Sequence, residues 1–136
     1  MNLAADANVL LSAVIGGRAR LAFNHPQVGE IFTTEYTFGE VEEYASVLAR
    51  RKRLPSDILL LAVAALPVTL VSHTRYSKSV PEAMKRIGHR DPDDVELLAL
   101  ALQFEIPIWS NDKDFEGLHV DLFTTERLLR QLGIIH

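Results

Sequence analysis

Residues 95–109 read VELLALALQFEIPIW, and this stretch decides the fold class. Its first ten residues are apolar on nearly every side, which predicts a helix packed centrally against a sheet. Residues 107–109 follow as a short apolar run and are predicted to form a strand. A buried helix followed closely by a buried strand is typical of a parallel sheet with crossover helices.

The same alternation of short apolar runs and longer amphipathic runs continues on both sides, so we predict an α/β protein. Further strands are predicted at residues 2–5, 30–33, 68–71 and 120–123. Helices are predicted from Asn8 to the Gly16-Gly17 pair, at 19–24, from Thr37 to about Arg53, from Pro55 onward, at 81–87 and at 125–132. Thr37 and Glu40 have the spacing of a capping box, which places the start of the long helix at Thr37.

Composition limits the classes of protein that this chain can be. The 136 residues are 48% apolar and 24% charged, the balance of a soluble globular protein, and we expect one domain over residues 1–136. There is no Cys, which excludes disulfides and thiolate zinc sites and agrees with a cytoplasmic location. The longest apolar run, residues 58–66, is about half of a bilayer crossing, so we expect no membrane segment. The first residues also lack the basic region of a secretory signal.

The charges are distributed unevenly along the chain. The net charge of −4 argues against a nucleic-acid partner, but 11 of the 14 Lys and Arg residues lie between Arg18 and Arg90. Residues 91–121 contain nine acids and one base. An acidic pole beside a basic surface and an ordinary solvated exterior are both compatible with this pattern.

Four acids from separate segments are predicted to lie at one edge of the sheet. Asp6 follows the first strand, Glu40 lies in the helix after the second, Asp94 begins the central helix and Asp112 follows the strand at 107–109. The carboxyl ends of parallel strands share an edge, and the loops leaving it form the ligand crevice. Two more acids are near enough to contribute, namely Asp91 and Asp114.

Carboxylates crowded into a cleft repel one another unless they are protonated or bind a cation. Mg²⁺ and Mn²⁺ are the natural cations, because both take oxygen ligands from carboxylates, water and phosphate. Such an ion activates water and stabilises phosphate oxygens, as phosphodiester hydrolysis requires. The five histidines have no paired ligand spacing, so zinc is not indicated.

Local roles in helix caps and turns explain most of these acids equally well. Glu40 can complete the capping box, and Asp93 or Asp94 can cap the central helix, each contributing about 1 kcal/mol. Asp112 and Asp114 can be turn residues within 111–114. Asp6 is harder to explain in this way, because a charge after a buried strand must be paired, solvated or bound to metal.

Motifs along almost the whole chain resemble those of the PIN domain family, and in particular its VapC-like ribonucleases. They are Asp6-Ala7-Asn8, Glu40 in the third helix, Asp91-Pro92-Asp93-Asp94-Val95 before an apolar helix, and Ile108-Trp109-Ser110-Asn111-Asp112-Lys113-Asp114-Phe115. The resemblance implies a three-layer α/β/α sandwich with a mostly parallel sheet. It also implies a ribonuclease that depends on Mg²⁺ or Mn²⁺. Many small members are toxins of toxin–antitoxin pairs, commonly homodimeric and neutralised by an antitoxin.

The resemblance also implies roles for individual residues. Asp6, Glu40, Asp94 and Asp112 match the four acidic positions of the family, with Asp6, Asp94 and Asp112 as the expected metal ligands. The polar neighbours Asn8 and Ser110 match residues that order the pocket. Asp91 is a further contributor, and Asp114 is an alternative to Asp112 as the inner ligand.

Basic and apolar segments outside the pocket have two interpretations each. Four cations, Arg50, Arg51, Lys52 and Arg53, together with Arg18 and Arg20, are candidates to hold the RNA backbone, or the four complement the dipole of a helix end. Trp109 and Phe115 are expected in the core rather than as platforms for bases. The helix at 58–66 packs inside the protein, with an exposed part as a candidate dimer surface.

Two other functional classes remain open at this stage. The first is a non-catalytic PIN-like module that binds RNA or protein. The second is a phosphoryl-handling α/β domain, although the chain lacks a paired-Asp motif at its first acid and a Walker-type glycine loop.

Overall fold

A five-stranded sheet forms the centre of the protein in a computed structural model that describes residues 1–136. All strand pairs are parallel, and the strand order is β3-β2-β1-β4-β5. The strands are β1 (Leu3–Ala5), β2 (Ile31–Thr34), β3 (Thr69–Val71), β4 (Ile108–Trp109) and β5 (Leu122–Phe123). The predicted α/β class and parallel sheet are confirmed.

Seven α-helices connect and cover the strands. They are α1 (Ala7–Val14), α2 (Arg20–Phe23), α3 (Glu35–Lys52), α4 (Ser56–Ala64), α5 (Val80–Ile87), α6 (Val95–Phe104) and α7 (Thr125–Gln131). Short 3₁₀ turns occupy His73–Arg75, Ser77–Ser79, Pro92–Asp94 and Lys113–Phe115. None of the helices is long and apolar enough to cross a membrane.

Successive residues of β1 face two different hydrophobic layers. Leu3 and Ala5 pack with α1, α2, α3, α4 and α7, whereas Ala4 packs with α5 and α6 on the opposite face. This alternation follows from the pleat, which points neighbouring side chains to opposite sides of a strand. Because β1 is fully buried on both faces, the expected three-layer α/β/α sandwich is confirmed.

β1, β3, β4 and β5 are shorter than predicted, and β2 is shifted by one residue along the chain. The carbonyl oxygens of Glu30, Pro107 and Asp121, just outside the strands, still accept backbone hydrogen bonds from the neighbouring strands. Asn2 and Glu30 lie outside β1 and β2, and the Glu30 backbone N–H donates to Asn2 Oδ1 at 2.9 Å. Residues 107, 120 and 121 also lie outside their strands.

The start of α3 corrects the predicted capping box. The helix begins at Glu35, and the Thr34 side chain caps it by accepting a hydrogen bond from the Thr37 N–H at 2.8 Å. Because β2 passes into α3 without a loop, the first free N–H groups of the helix lie at its junction with the strand. The prediction that Thr37 caps this helix with Glu40 is therefore wrong, and Glu40 lies in the second turn.

Helix α6 packs centrally, as its sequence predicts. Six of its ten residues are buried: Val95, Leu97, Leu98, Ala99, Leu100 and Ala101. Trp109 and Phe115 are also in the core, as expected.

Truncating the centre of α6 tests this packing. Leu98→Ala should lower the free energy of unfolding by about 3 kcal/mol, because it removes apolar contacts and leaves a cavity. Met84→Ala is the control, because that side chain is 52% exposed on α5 and should change stability by less than about 0.5 kcal/mol. Urea denaturation measures both, and equal losses would contradict a central position for α6.

Candidate active site

The carboxyl edge of the sheet carries a pocket lined by six acids. Strand order reverses at β1, because the chain proceeds outward to β2 and β3 on one side and later adds β4 and β5 on the other. Loops diverge at such a switch point and leave a crevice. The acids that line it are Asp6, Glu40, Asp91, Asp93, Asp94 and Asp112.

Asp6 is held by neutral donors at the bottom of this pocket. Its Oδ1 accepts a hydrogen bond from the Val9 N–H at 2.9 Å, and its Oδ2 accepts one from the Ser110 hydroxyl. Burial raises the pKa of Asp6 above its ordinary value, although the hydrogen bonds from Ser110 and Val9 oppose this shift. Asp6 therefore caps α1 and joins the end of β1 to the end of β4.

Ser110 connects Asp6 to the acidic turn after β4. This fully buried side chain accepts a hydrogen bond from the Asp112 N–H at 2.9 Å. The Asp112 carboxylate in turn accepts one from the Asp114 N–H at 2.9 Å. Asp112 therefore has the predicted role in a turn. Its second carboxylate oxygen takes no part in this hydrogen bond.

Asp94 carries the one buried side-chain oxygen in the protein that lacks a hydrogen-bond partner, Oδ2. Asp94 makes no capping hydrogen bond to α6, so its interpretation as a side-chain cap is wrong. Asp91 caps the preceding turn instead, by accepting a bond from the Asp93 N–H at 3.0 Å. Burial raises the pKa of Asp94 to about 8, and the carboxylates of Asp91, Asp112 and Asp6 contribute to this rise.

Glu40 forms another wall of the pocket, on α3. Burial raises its pKa to about 7, with smaller contributions from Asp93, Asp91, Glu43 and Asp6. A carboxyl group in this range exchanges protons near neutral pH.

Four carboxylates in this region are close enough to share a cation. Asp91, Asp94, Asp112 and Asp114 each offer an oxygen within 4.8 Å of the others. Asp6 and Glu40 line the same pocket but do not belong to this group. This group of four thus contains two of the three expected ligands, Asp94 and Asp112, together with the further contributor Asp91 and the alternative ligand Asp114.

The donor set fits a hard divalent cation. All its groups are carboxylates, which Mg²⁺ and Mn²⁺ prefer, and one buried oxygen of Asp94 has no other partner. The three ion pairs of the protein, at Glu82, Glu96 and Glu126, lie outside the cluster. No Lys or Arg therefore occupies the carboxylates that would hold the ion.

Two arginines in and just after α5 bind the backbone of the segment that follows β4. Arg90 donates to the carbonyl oxygens of Asp114 and Glu116 at 3.2 and 3.0 Å. One turn earlier, Arg86 donates to the Leu118 carbonyl at 3.0 Å. Because both guanidinium groups bind backbone carbonyls, they fix the loop without neutralising its carboxylates.

Sequence reasoning missed several pocket residues on α3. Thr37 and Tyr44 line the pocket, and Tyr36 donates a hydrogen bond from its hydroxyl to Asp93 Oδ1 at 3.0 Å. This bond raises the pKa of Tyr36 to about 12. Their helical spacing around Glu40 could have identified these residues from the sequence, because residues three or four positions apart share a helix face.

The four cations predicted to bind RNA lie at the end of α3. Arg50, Arg51 and Lys52 form its last turn, Arg53 is its left-handed C-cap, and all four are exposed. This position also fits the helix-dipole interpretation. Only Arg51 lines a groove, which adjoins the acidic pocket at Asn8 and Tyr44.

The raised pKa values predict how stability depends on pH without metal. The folded protein retains protons on Asp94, Glu40 and Asp6 that the unfolded chain loses near its ordinary value of about 4. The stabilisation is complete below that value and is lost as the pH rises to about 8, the folded-state pKa of Asp94. Urea denaturation in EDTA should therefore give lower stability at pH 8 than at about pH 5. Stability that rises over this interval would contradict the raised pKa values of these acids.

Comparisons with known proteins agree with this fold. The family model described as "PIN domain" matches residues 5–133. A DNA-bound VapBC complex from Salmonella typhimurium has a TM-score of 0.70 and 12% identity, covering 92% of this chain and 98% of that chain. VapBC2 from Rickettsia felis, bound to a promoter DNA fragment, has a TM-score of 0.68 and 10% identity, covering 91% and 98%.

Another similar structure is VapC20 from Mycobacterium tuberculosis, described as a Sarcin-Ricin loop cleaving toxin. Its TM-score is 0.62 at 14% identity, covering 87% of this chain and 95% of that chain. At these identities the likeness is one of fold. Comparison with curated protein sequences gives no match. Since the family model covers nearly the whole chain, this protein belongs to the PIN domain family.

Proposed function

We propose that this protein is a metal-dependent endoribonuclease that hydrolyses RNA phosphodiester bonds. The observation that carries the proposal is the pocket of six acids, with a buried Asp94 oxygen that has no partner in the protein. Membership of the PIN domain family supports the same chemistry.

Asp94 and Asp112 are the proposed central metal ligands, with Asp91 and Asp114 within reach of the same ion. Asp6 contacts this cluster through Ser110 and remains a candidate ligand from the pocket floor. A bound Mg²⁺ or Mn²⁺ supplies an activated water and stabilises charge on the phosphate.

The residues of the chain supply positioning and proton transfer. Asp6 and Ser110 hold the backbone of Asp112, so that its carboxylate faces the pocket. Glu40, with a pKa of about 7, is the proposed proton acceptor from water or donor to the leaving oxygen. Asn8 lines the pocket mouth and is proposed to orient the substrate.

Substrate and partners follow from the similar structures by analogy. One of these is described as a toxin that cleaves the Sarcin-Ricin loop, and others are VapBC complexes, while one from Klebsiella pneumoniae is described as a toxin–antitoxin complex. We therefore propose an RNA substrate, an antitoxin partner and a cytoplasmic location, with residues 1–136 acting as a single domain. Ile58 and Leu61, 62% and 68% exposed on α4, are the proposed surface of a homodimer.

Asp94→Asn tests the proposed site. It should lower Mn²⁺-dependent RNA cleavage by about 100-fold or more, since even changes behind metal ligands cost about 10- to 100-fold. Asp57→Asn is the control, because Asp57 is exposed on α4 away from the pocket. Gel-resolved cleavage of a labelled RNA measures both variants.

Two results would contradict this assignment. One is wild-type cleavage that survives EDTA, and the other is equal activity of the two variants. Absence of any cleavage by the wild type would instead favour a non-catalytic module that binds RNA or protein.

The cations at the end of α3 are proposed to hold the RNA backbone. Replacing Arg50, Arg51, Lys52 and Arg53 by Gln should weaken RNA binding. It should also reduce the slope of log affinity against log salt by about 0.7 for each phosphate of a single strand that the variant no longer neutralises. Fluorescence anisotropy at several salt concentrations measures this slope. An unchanged slope would leave these residues with their role at the helix end.

A further inference from the structure

One hydrogen bond joins helix α3 to the turn that carries Asp91 and Asp94. The Tyr36 hydroxyl donates to Asp93 Oδ1 at 3.0 Å, between residues that are 57 positions apart. Tyr36 lies in the first turn of α3, and Asp93 is the middle residue of the 3₁₀ turn that precedes α6. The bond therefore connects the helix of Glu40 with a segment that supplies two of the four carboxylates able to share a cation.

Tyr36 and Glu40 lie on the same face of α3, because they are four residues apart. Asp93 and Glu40 line the same pocket. After burial, the Asp93 carboxylate makes the largest contribution to the raised pKa of Glu40, as expected for neighbouring acids. Asp93 thus lies near both residues of α3, and its bond to Tyr36 is a direct contact through which the helix can position the turn.

The turn itself is ordered by its own hydrogen bonds. The Asp93 N–H donates to Asp91 Oδ1 at 3.0 Å, and the Asp94 N–H donates to the Asp91 carbonyl at 3.2 Å. Because these bonds are local, they fix the shape of the turn but not its position relative to α3. Tyr36 is the one residue of α3 that hydrogen-bonds to residues 91–94.

The Asp93 carboxylate is engaged with Tyr36 rather than with a cation or a basic side chain. It lies outside the group of four carboxylates that can share an ion, and it forms none of the three ion pairs of the protein. The hydrogen bond to Asp93 raises the pKa of Tyr36 to about 12. The Tyr36 hydroxyl therefore keeps its proton and remains a donor at neutral pH.

A separate contact connects the starts of α3 and α6. Tyr76 is 1% exposed and neighbours Glu96, in the first turn of α6, and Thr34, the cap of α3. Burial raises the pKa of Tyr76, and the Glu96 carboxylate adds to the rise. Since this contact does not involve residues 91–94, loss of the exposed Tyr36 hydroxyl should leave the helices in place and release only the turn.

We propose that Tyr36 is a positioning residue, which acts through Asp93 to hold the carboxylates of Asp91 and Asp94 in one cavity with Glu40. In this role Tyr36 contacts neither the ion nor the substrate. The inference rests on the proposed ribonuclease function, because it concerns the metal ligands and the proton-transfer group of that site.

Tyr36→Phe tests this role, because it keeps the ring and removes only the hydroxyl. It should raise the dissociation constant for Mn²⁺ about tenfold, as changes behind metal ligands do. Electron paramagnetic resonance of free Mn²⁺ measures this constant without RNA. At saturating Mn²⁺, kcat for cleavage of a labelled RNA should also fall about tenfold, while KM stays unchanged.

Ser46→Ala is the matched control for Tyr36→Phe. It removes another hydroxyl of α3, but one whose hydrogen bond to the Glu42 carbonyl, at 3.2 Å, stays within the helix. Its Mn²⁺ affinity, kcat and KM should equal those of the wild type.

Two variants of Asp93 distinguish its hydrogen bond from its charge. Asp93→Asn keeps an oxygen that accepts from Tyr36, so its Mn²⁺ affinity and kcat should stay close to those of the wild type. Asp93→Leu removes the acceptor and should lose as much as Tyr36→Phe. The double variant Tyr36→Phe/Asp93→Leu should lose no more than Asp93→Leu alone, because both substitutions remove the same bond.

Urea denaturation in EDTA separates positioning from a role in folding. The midpoints of Tyr36→Phe, Ser46→Ala and the wild type should coincide. A lower midpoint for Tyr36→Phe, with Mn²⁺ affinity lost in proportion, would overturn the inference.

The remaining outcomes separate this inference from the proposed function. If Tyr36→Phe binds Mn²⁺ and cleaves RNA like the wild type, or if Asp93→Asn loses as much as Asp93→Leu, the positioning role is refuted. A wild type that binds Mn²⁺ but cleaves no RNA would instead refute the ribonuclease, and the Mn²⁺ affinities of the variants would still test Tyr36.

Discussion

Burial of several carboxyl groups together at one edge of a parallel sheet is the constraint on which the site depends. Burial and like charges raise the pKa values of Asp94, Glu40 and Asp6 together, and no Lys or Arg forms an ion pair with these acids. Such an arrangement lowers the stability of the metal-free protein near neutral pH. The rest of the fold must therefore hold these groups in place against their own repulsion.

Neutral hydrogen-bond donors and backbone carbonyls hold the acids of the pocket in place. Asp6 is oriented by an N–H group and a hydroxyl, and the Asp112 and Asp114 segments are linked by N–H groups. Arg90 adds positive charge near the turn but binds its carbonyl oxygens. Each contact fixes a position without pairing a carboxyl group with a Lys or Arg, so the acids of the pocket are ordered and remain available to bind a cation.

The protons on these acids link the proposed chemistry to substrate binding. A bound cation would displace the protons and provide positive charge for a phosphate, so under the proposed function metal and RNA should bind cooperatively. The groove toward Arg51 carries the opposite charge, about 16 Å from Glu40 along the axis of α3. Helix α3 connects the two regions, because its second turn carries Glu40 and its last turn carries Arg51.

The sequence by itself determined the α/β class and the central position of residues 95–104. It also determined the edge of the sheet at which Asp6 and Asp112 lie. Hydrophobic periodicity and the ends of strands are local signals, so they can be read from the sequence. Only the tertiary structure decided that Glu40 is free of a capping box, since the helix start depends on where β2 ends. It also decided which acids share a cation and that Arg51, alone among its basic neighbours, lines the groove. These facts depend on distances between segments far apart in the chain, which no local pattern of residues encodes.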